Sequence, residues 1–203
     1  MMLDGKTIAI TRSPDDASEF ISLAEQNKAT PIALPTIELV SKGEKIVDEF
    51  LDSVKTYNPD YSVFMSSKAV KLLFDTAKES GKLEPLQLAI ANTIVISVGP
   101  KTTIALEAQG IKVNHQPEKT FSSVGVGELF TQLNAVGKKV IVPRSGASTP
   151  FLKELLNKIG IDASEIHLYD VCAFRDTSQW NGDRKSTRLN SSHSSVSRMP
   201  SSA

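Results

Sequence analysis

The chain has 203 residues, 40% of them hydrophobic, with 23 basic and 23 acidic residues, and a chain of this size can bury the core of one or two domains. No segment approaches the length of a membrane-spanning helix, and the first residues lack a signal-peptide pattern, which predicts a cytoplasmic protein with no membrane partner. The single cysteine, Cys172, excludes an internal disulfide and is typical of a reducing compartment.

The first forty residues predict one strand, one helix and one extended segment. Residues 6–11 are rich in β-branched side chains and predict the first strand. Ser13, Pro14 and Asp16 then supply an N-cap, a first-turn proline and an acidic N3 residue, a capping box that begins a helix. Residues 31–40 are extended, and their two prolines exclude the middle of a sheet, so this segment is expected to leave one sheet and join another.

Strands and helices alternate through the rest of the chain. Further strands are predicted at residues 61–65, 93–98, 111–115, 139–143 and 164–171. Helices are predicted at residues 44–55, 68–80 and 103–109, from Ser122 or Ser123, and from Thr149. Such alternation predicts an α/β fold, a parallel sheet with helices on both faces. Residues 36–171 supply a complete domain of this kind, whereas residues 1–35 supply too little to bury both faces of a sheet.

The last twenty residues differ in composition from the rest. Residues 184–203 hold eight serines, four basic residues and no acidic residue. Residues 183–193 resemble the in-frame translation of a sequencing-library adapter, and residues 197–203 resemble the same adapter resumed, so we expect 183–203 to be a non-native, disordered tail. Without its four basic residues, the basic count falls from 23 to 19 against 23 acidic residues, a net charge of −4. This charge argues against a nucleic-acid partner.

Three strand-to-helix junctions carry the polar residues of greatest functional interest: Met65-Ser66-Ser67, Gly99-Pro100-Lys101-Thr102 and Pro143-Arg144-Ser145. In an open α/β sheet, ligands bind beyond the carboxyl ends of the strands. The N–H groups of a helix's first turn lack partners and carry partial positive charge, which suits an anion. We therefore predict that the junctions line one cleft.

Each candidate residue also has an ordinary structural interpretation. Ser66 and Ser67 precede a lysine, but serines at a helix start are more often caps than nucleophiles. The hydroxyl of Thr102 is open to the same interpretation. Arg144 is equally consistent with an anion contact and with a surface charge. Tyr169, in the last strand, is interpreted either as a packing residue or as a polar group of the cleft.

No cofactor or metal site is predicted. Residues 124–127 (Val-Gly-Val-Gly) faintly resemble a dinucleotide-binding loop, but they follow no strand and lie within an amphipathic helix pattern. The three histidines are far apart in the sequence, and with a single cysteine no metal-ligand motif is present.

Taken in order, the junctions resemble those of the uroporphyrinogen-III synthase family, over about residues 6–174. The similar segments are Ile10-Thr11-Arg12-Ser13-Pro14, Phe64-Met65-Ser66-Ser67-Lys68-Ala69-Val70, Val98-Gly99-Pro100-Lys101-Thr102, Pro117 with Phe121-Ser122-Ser123, and Leu168-Tyr169-Asp170-Val171. The family pattern has Thr and Asn where this chain has Met65 and Lys68, whereas Ser66, Gly99, Thr102 and Tyr169 keep the pattern.

The resemblance implies a fold of two α/β lobes joined by a two-stranded ladder. Residues 1–35 would begin lobe one, 36–171 would form all of lobe two, and 172–182 would begin the return to lobe one. The ladder strands would be residues 31–40 and 169–174. The remainder of the returning segment is expected to be missing, with the tail in its place, so the polypeptide as written is expected to be inactive.

The resemblance also implies a reaction. Linear hydroxymethylbilane would lose water and close to uroporphyrinogen III with its last pyrrole inverted, without a cofactor. Tyr169 would be the general acid, and the residues expected to bind the substrate are Arg12, Ser66, Ser67, Gly99, Pro100, Thr102 and Arg144. The implied partner is this small linear tetrapyrrole, and the full-length protein is expected to be a monomer. The alternative hypothesis is a noncatalytic α/β module that binds a small ligand.

Overall fold

The structure is a computed structural model that describes residues 3–175. The predicted tail at 183–203 and most of the predicted return segment at 172–182 lie outside these residues. The described chain forms two units, one of residues 3–38 with 173–175 and the other of Leu39–Cys172.

The first unit is a strand–helix–strand arrangement. Strand β1 (Thr7–Ile10), helix α1 (Pro14–Gln26) and strand β2 (Thr30–Ala33) follow one another, and the two strands pair in parallel. Helix α1 begins where predicted, with Ser13 at the N-cap, and Oγ of Ser13 donates to Oδ2 of Asp16 at 3.3 Å.

The predicted extended segment at 31–40 is two strands instead of one. Strand β2 ends at Ala33, and strand β3 (Ile37–Ser41) begins after a break that contains Pro35. Strand β2 belongs to a two-stranded sheet and β3 to a five-stranded sheet. The passage of this segment from one sheet to another is thereby confirmed, because a proline in the break supplies no N–H to continue a ladder.

The second unit is a five-stranded sheet covered by helices. Its later strands are β4 (Tyr61–Phe64), β5 (Ile94–Ser97), β6 (Lys139–Ser145) and β7 (Asp162–Ala173). Its helices are α2 (Lys45–Tyr57), α3 (Ser67–Glu79), α4 (Leu83–Ala91), α5 (Pro100–Glu107), α6 (Ser123–Gln132) and α7 (Phe151–Lys158). The strand order is β3-β7-β6-β4-β5, and β4 to β7 pair in parallel. Strand β3 runs antiparallel to β7, since Lys42 N–H donates to Leu168 O and Phe174 N–H donates to Thr36 O.

The apolar residues of this sheet form a core on each face, as the alternation of strands and helices predicts. One cluster, here the first face, joins strand residues such as Phe64, Val95 and Ile141 to helices α2 to α5. The other, the second face, joins Val63 and Val142 among others to helices α6 and α7. Both faces are therefore covered, which is the arrangement expected of a parallel sheet.

Two elements differ from the sequence prediction. Helix α4 was not predicted, and residues 111–115 make one isolated bridge, between Ile96 and His115, where a strand was expected. There the side chain of Asn114 takes the place of a ladder partner, because its Oδ1 accepts from Val95 N–H at 2.8 Å. An alternating sequence pattern predicts a strand but does not reveal that a side-chain oxygen, and not a backbone carbonyl, accepts this hydrogen bond.

The two glycines of the Val-Gly-Val-Gly segment serve helix packing. A Cβ on Gly125 would overlap the carbonyl oxygen of Thr120, and one on Gly127 would lie 2.7 Å from Cδ2 of Leu155. Both lie in the buried side of α6, so close approach explains the residues that resembled a dinucleotide loop.

We predict that Gly125→Ala destabilises the protein by about 3 kcal/mol, because the backbone of Thr120 must move to make room. Gly127→Ala is the matched control in the same helix. There the Leu155 side chain can rotate, and the helix preference for Ala over Gly, about 1 kcal/mol, offsets the crowding. Urea unfolding measures both, and equal losses for the two variants would contradict this account.

Asp60 fastens the start of β4 to the start of β6. The backbone N–H of Lys139 and the ammonium of Lys138 bond its two carboxylate oxygens, both at 2.9 Å, and hold the pKa of Asp60 below its usual range. A depressed pKa means that the folded protein prefers the ionised carboxylate, so this stabilisation is present above the unfolded pKa of about 3.9 and is lost as the pH falls through the folded pKa.

Asp60→Asn is therefore expected to lower the free energy of unfolding by less than about 1 kcal/mol at neutral pH, since the pair is solvent-screened. The difference from the unchanged protein should shrink as the pH falls below about 4 and disappear below the folded pKa of Asp60, where the carboxyl group is protonated in both states. Asp75→Asn, which removes the exposed Lys78 pair, is the control and should change stability less. A loss that persists unchanged at low pH would refute the electrostatic origin.

Candidate functional site

The carboxyl ends of three neighbouring strands lie at one edge of the five-stranded sheet. Strands β4, β5 and β6 are parallel and adjacent, so their carboxyl ends lie on the same side. The predicted third junction is corrected in one respect: residues 143–145 still belong to β6, which ends at Ser145, and the next helix begins at Phe151. Phe64 pairs with Ser97 in register, and Val98 N–H donates to Phe64 O at 2.9 Å just beyond both strands. In β7, Tyr169 pairs with Ser145 at the end of β6. All the predicted site residues except Arg12 therefore lie along this carboxyl edge.

The junction after β4 is a helix cap. Ser66 is the N-cap of α3, and its Oγ accepts from Lys68 N–H at 3.2 Å, while Ser67 is the first helical residue. The capping interpretation of this serine is confirmed. The predicted substrate contacts of Ser66 and Ser67 stay predictions.

The junction after β5 places Gly99 at the N-cap of α5 and an exposed Pro100 in its first turn. Thr102 is buried, and its N–H donates to Gly99 O at 3.0 Å. The hydroxyl of the next residue, Thr103, contacts two other side chains: it donates to Oε1 of Gln116 at 2.8 Å and lies 2.6 Å from Oγ of Ser97. Sequence reasoning missed Thr103, because nothing in the pattern distinguishes two adjacent threonines at a helix start.

Gly99 is in close contact with an aromatic ring. A Cβ at this position would lie 2.9 Å from Cγ of Phe121. The φ angle of Gly99 is 171°, extended backbone that any residue can adopt, so the reason for glycine here is space. The Phe121 ring remains 51% exposed, an apolar surface at the start of α5.

Arg144 is buried in an ion pair. Its Nη1 lies 2.5 Å from Oε1 of Glu165, and the two side chains are only 10% and 12% exposed. His167 Nε2 lies 3.8 Å from the other oxygen of Glu165. Within residues 3–175, Nε of Arg144 is buried and has no hydrogen-bond partner. Arg144 is therefore not a surface charge, and its contact with a substrate anion stays a prediction.

Tyr169 is 7% exposed and packs with the first-face cluster. Its carbonyl oxygen accepts from Gly146 N–H at 2.8 Å. The position fits a packing tyrosine with a polar end, and its role as a general acid stays a prediction.

Arg12 belongs to the first unit. Its guanidinium carbon lies 4.5 Å from the centroid of the Phe20 ring, a cation–π contact on an exposed part of α1. The predicted contact of Arg12 with substrate is not tested by this geometry.

A cavity of about 380 Å³ lies in the second unit between residues 114–120 and helix α6, and its lining residue Gln116 accepts from the Thr103 hydroxyl at the start of α5. None of the eight predicted site residues lines it, and its charged lining is mixed, with Glu118 and Glu128 near Lys119. It therefore offers no preference for an anion. The part of the chain described here has no group of three potential metal ligands, and none of its helices is long and apolar enough to cross a membrane.

The chain resembles known proteins along most of its length. Residues 18–190 match the family model "Uroporphyrinogen-III synthase HemD". A provisionally named uroporphyrinogen-III synthase from Methanothermobacter thermautotrophicus is 26% identical over 163 residues, which are 80% of this chain and 61% of that protein. The chain thus spans about three fifths of that relative's length.

Two solved structures share the fold. A mutant uroporphyrinogen III synthase from Thermus thermophilus matches with a TM-score of 0.59 and 19% identity, over 84% of this chain and 64% of that one. The synthetase from Helicobacter pylori matches with a TM-score of 0.56 and 19% identity, over 88% and 67%. At this identity the likeness concerns the fold, and it agrees with the α/β architecture predicted from the sequence.

The contact between Gly99 and Phe121 can be tested by a pair of substitutions. Gly99→Ala is expected to cost about 1–2 kcal/mol, because the added methyl group displaces the ring. In a Phe121→Ala background the same change should cost less than about 0.5 kcal/mol, since the obstacle is gone. Thermal unfolding of the four proteins measures the coupling, and additive losses would show that the ring is not the constraint.

Proposed function

This chain belongs to the uroporphyrinogen-III synthase family, and from that premise we propose that the protein, at the full length of its relatives, cyclises hydroxymethylbilane to uroporphyrinogen III. The reaction removes the terminal hydroxyl as water and closes the macrocycle with the last pyrrole inverted. We propose the same site for this reaction as the sequence indicated, the carboxyl edge of the second unit.

The observation that carries the proposal is the convergence of the three junctions on that edge. Reaction at a flexible chain of four pyrroles is largely a problem of position, because the correct carbon must reach the site that the hydroxyl leaves. Helix N-termini and buried hydroxyl groups, fixed in place by a sheet that is packed on both faces, suit that task. The electron-rich pyrrole itself assists departure of the hydroxyl, so one modest acid is enough.

The substrate carries eight carboxylates, whereas residues 1–183 have a net charge of −4. We propose that main-chain donors in the first turns of α3 and α5, together with Ser66 and Thr102, bind some of these carboxylates. Helix N-termini favour anions through unpaired N–H groups and the helix dipole, without the need for a positive net charge. Arg12 remains a further candidate anchor.

Tyr169 is the proposed general acid. A phenol keeps its proton at neutral pH and can donate it to a departing hydroxyl. Its location in β7, one strand from Arg144, keeps it at the carboxyl edge. We further propose that the full-length protein works as a monomer in the cytoplasm, which size-exclusion chromatography and cell fractionation would test.

The first test compares two polypeptides, the 203-residue chain and a version extended from the intact gene to the length of the relatives. With hydroxymethylbilane as substrate, we expect the extended protein to form mainly the type III isomer. The 203-residue chain should leave the spontaneous type I product dominant. Chromatographic separation of the oxidised isomers measures the ratio. Type I product alone from the extended protein would refute the proposed function, and saturable ligand binding without turnover would favour the noncatalytic alternative.

The second test concerns the general acid. Tyr169→Phe in the extended protein is expected to lower kcat by about 10²-fold, the ordinary contribution of a positioned acid, with little change in the unfolding midpoint. Tyr57→Phe is the matched control: the Tyr57 hydroxyl donates to Asp162 O at 2.7 Å, away from the carboxyl edge. This control should lose some stability and keep its kcat. An unchanged kcat in Tyr169→Phe would remove the acid role.

A further inference from the structure

Strand β7 changes the direction of its side chains just before Tyr169. In a regular strand, alternate residues share a face. Ile166 and Leu168 both pack into the first-face cluster, as alternation requires, but Tyr169 and Val171 pack into that same cluster. The alternation is therefore reversed between Leu168 and Tyr169.

A β-bulge causes this reversal. Arg144 pairs with His167 and Ser145 pairs with Tyr169, so Leu168 is an extra residue opposite the step between Arg144 and Ser145. Bulges of this kind re-aim side chains and occur often beside active sites. Without the extra residue, Tyr169 would follow Ala163 onto the second face, beneath α6 and α7.

The ion pair of Arg144 and Glu165 lies directly before the bulge. Glu165 pairs with Val142, two residues before His167, so its carboxylate reaches diagonally across the ladder to Nη1 of Arg144. Beyond the bulge, Gly146 N–H donates to Tyr169 O at 2.8 Å, and a Cβ on Gly146 would overlap Oδ1 of Asp170. The two strands are thus held together on both sides of the extra residue.

A buried ion pair is a poor source of stability, because its desolvation cost is comparable to its attraction. Here the cost is greater still, since Nε of Arg144 is buried with no partner in the described chain. In some proteins such buried charged groups specify one arrangement over its alternatives. The alternative nearest at hand is a regular ladder, a one-residue slip that turns Tyr169 to the other face.

We propose that Arg144 and Glu165 are positioning residues that hold the bulge and thereby direct the Tyr169 phenol to its face of the sheet. The proposal rests on the proposed function in one respect, that Tyr169 is the general acid. It gives Arg144 an action through Tyr169 in place of direct binding of a substrate carboxylate. The sequence offered no sign of this role, because Glu165 lies 21 residues from Arg144.

The main test replaces the pair as a unit, Arg144→Met with Glu165→Leu, in the protein of full length. An apolar replacement of both partners avoids an uncompensated buried charge, so the variant is expected to fold. Tyrosine labelled with ¹³C at Cζ reports the phenol's surroundings by NMR, and Tyr169→Phe assigns the signal. We expect the Tyr169 signal to move or broaden, and kcat to fall about tenfold with KM changed less than twofold, as misplacement of a catalytic group requires.

Two further variants separate positioning from general damage. In a Tyr169→Phe background the same replacement should change kcat less than twofold, because the residue through which the pair acts is already altered. The reversed pair, Arg144→Glu with Glu165→Arg, should recover at least half of the lost kcat. The control removes an exposed pair of the same unit, Lys82→Met with Asp48→Leu, and should leave the Tyr169 signal and kcat unchanged.

An unmoved Tyr169 signal in the Arg144→Met, Glu165→Leu protein would overturn the proposal. So would a tenfold rise in KM at constant kcat for Arg144→Met alone, which is the signature of a substrate anchor. If the unchanged full-length protein shows no turnover, the proposed function fails, and the NMR result alone then decides whether the pair positions Tyr169.

Discussion

The parallel register of β4 with β5 and β6 is the constraint on which the candidate site depends. Because Phe64 lies opposite Ser97 and Tyr61 lies opposite both Ile94 and Val140, the chain leaves three strands at the same edge. A shift of one residue in any of these ladders would move every side chain of the shifted strand to the opposite face, where it would meet a core packed around other residues. The apolar packing that stabilises the sheet therefore also fixes where the junctions emerge, and fold and site share one cause.

Several polar side chains at the junctions are already bonded to other groups of the protein. Ser66 satisfies a backbone N–H, Thr103 is committed to Ser97 and Gln116, and Arg144 is committed to Glu165. What the edge presents is chiefly ordered backbone, with the exposed ring of Phe121 beside it. This suits a reaction in which the substrate supplies most of the reactivity and the protein supplies its conformation.

Much of this architecture could be predicted from the sequence, because it depends on local signals. The caps at Ser66 and Ser122, the first-turn prolines and the two periods of apolar residues place most helices and strands correctly. Pro35, in the break between β2 and β3, explains why one extended segment serves two sheets. Helix α4 was not predicted, because its apolar residues lie on no single face and Pro85 in its first turn resembles a helix break. The bulge at Leu168 could not be predicted in this way, because it depends on how β7 pairs with β6, and the sequence of a single segment does not encode that pairing.

The face on which Tyr169 lies shows how far a pattern can mislead. Counting in twos from Ala163 would assign this tyrosine to the second face, among the residues under α6 and α7. The structure places it on the first face, because one extra residue enters the ladder opposite Arg144. The location of a strand can therefore be predicted from the sequence while the direction of one of its side chains depends on a bulge that the alternation does not reveal. The residues that decide the direction are those that fix pairing between strands, and here they include a buried charge pair that contributes little to stability. The proposed acid role of Tyr169 would thus depend on interactions made one strand away from its phenol.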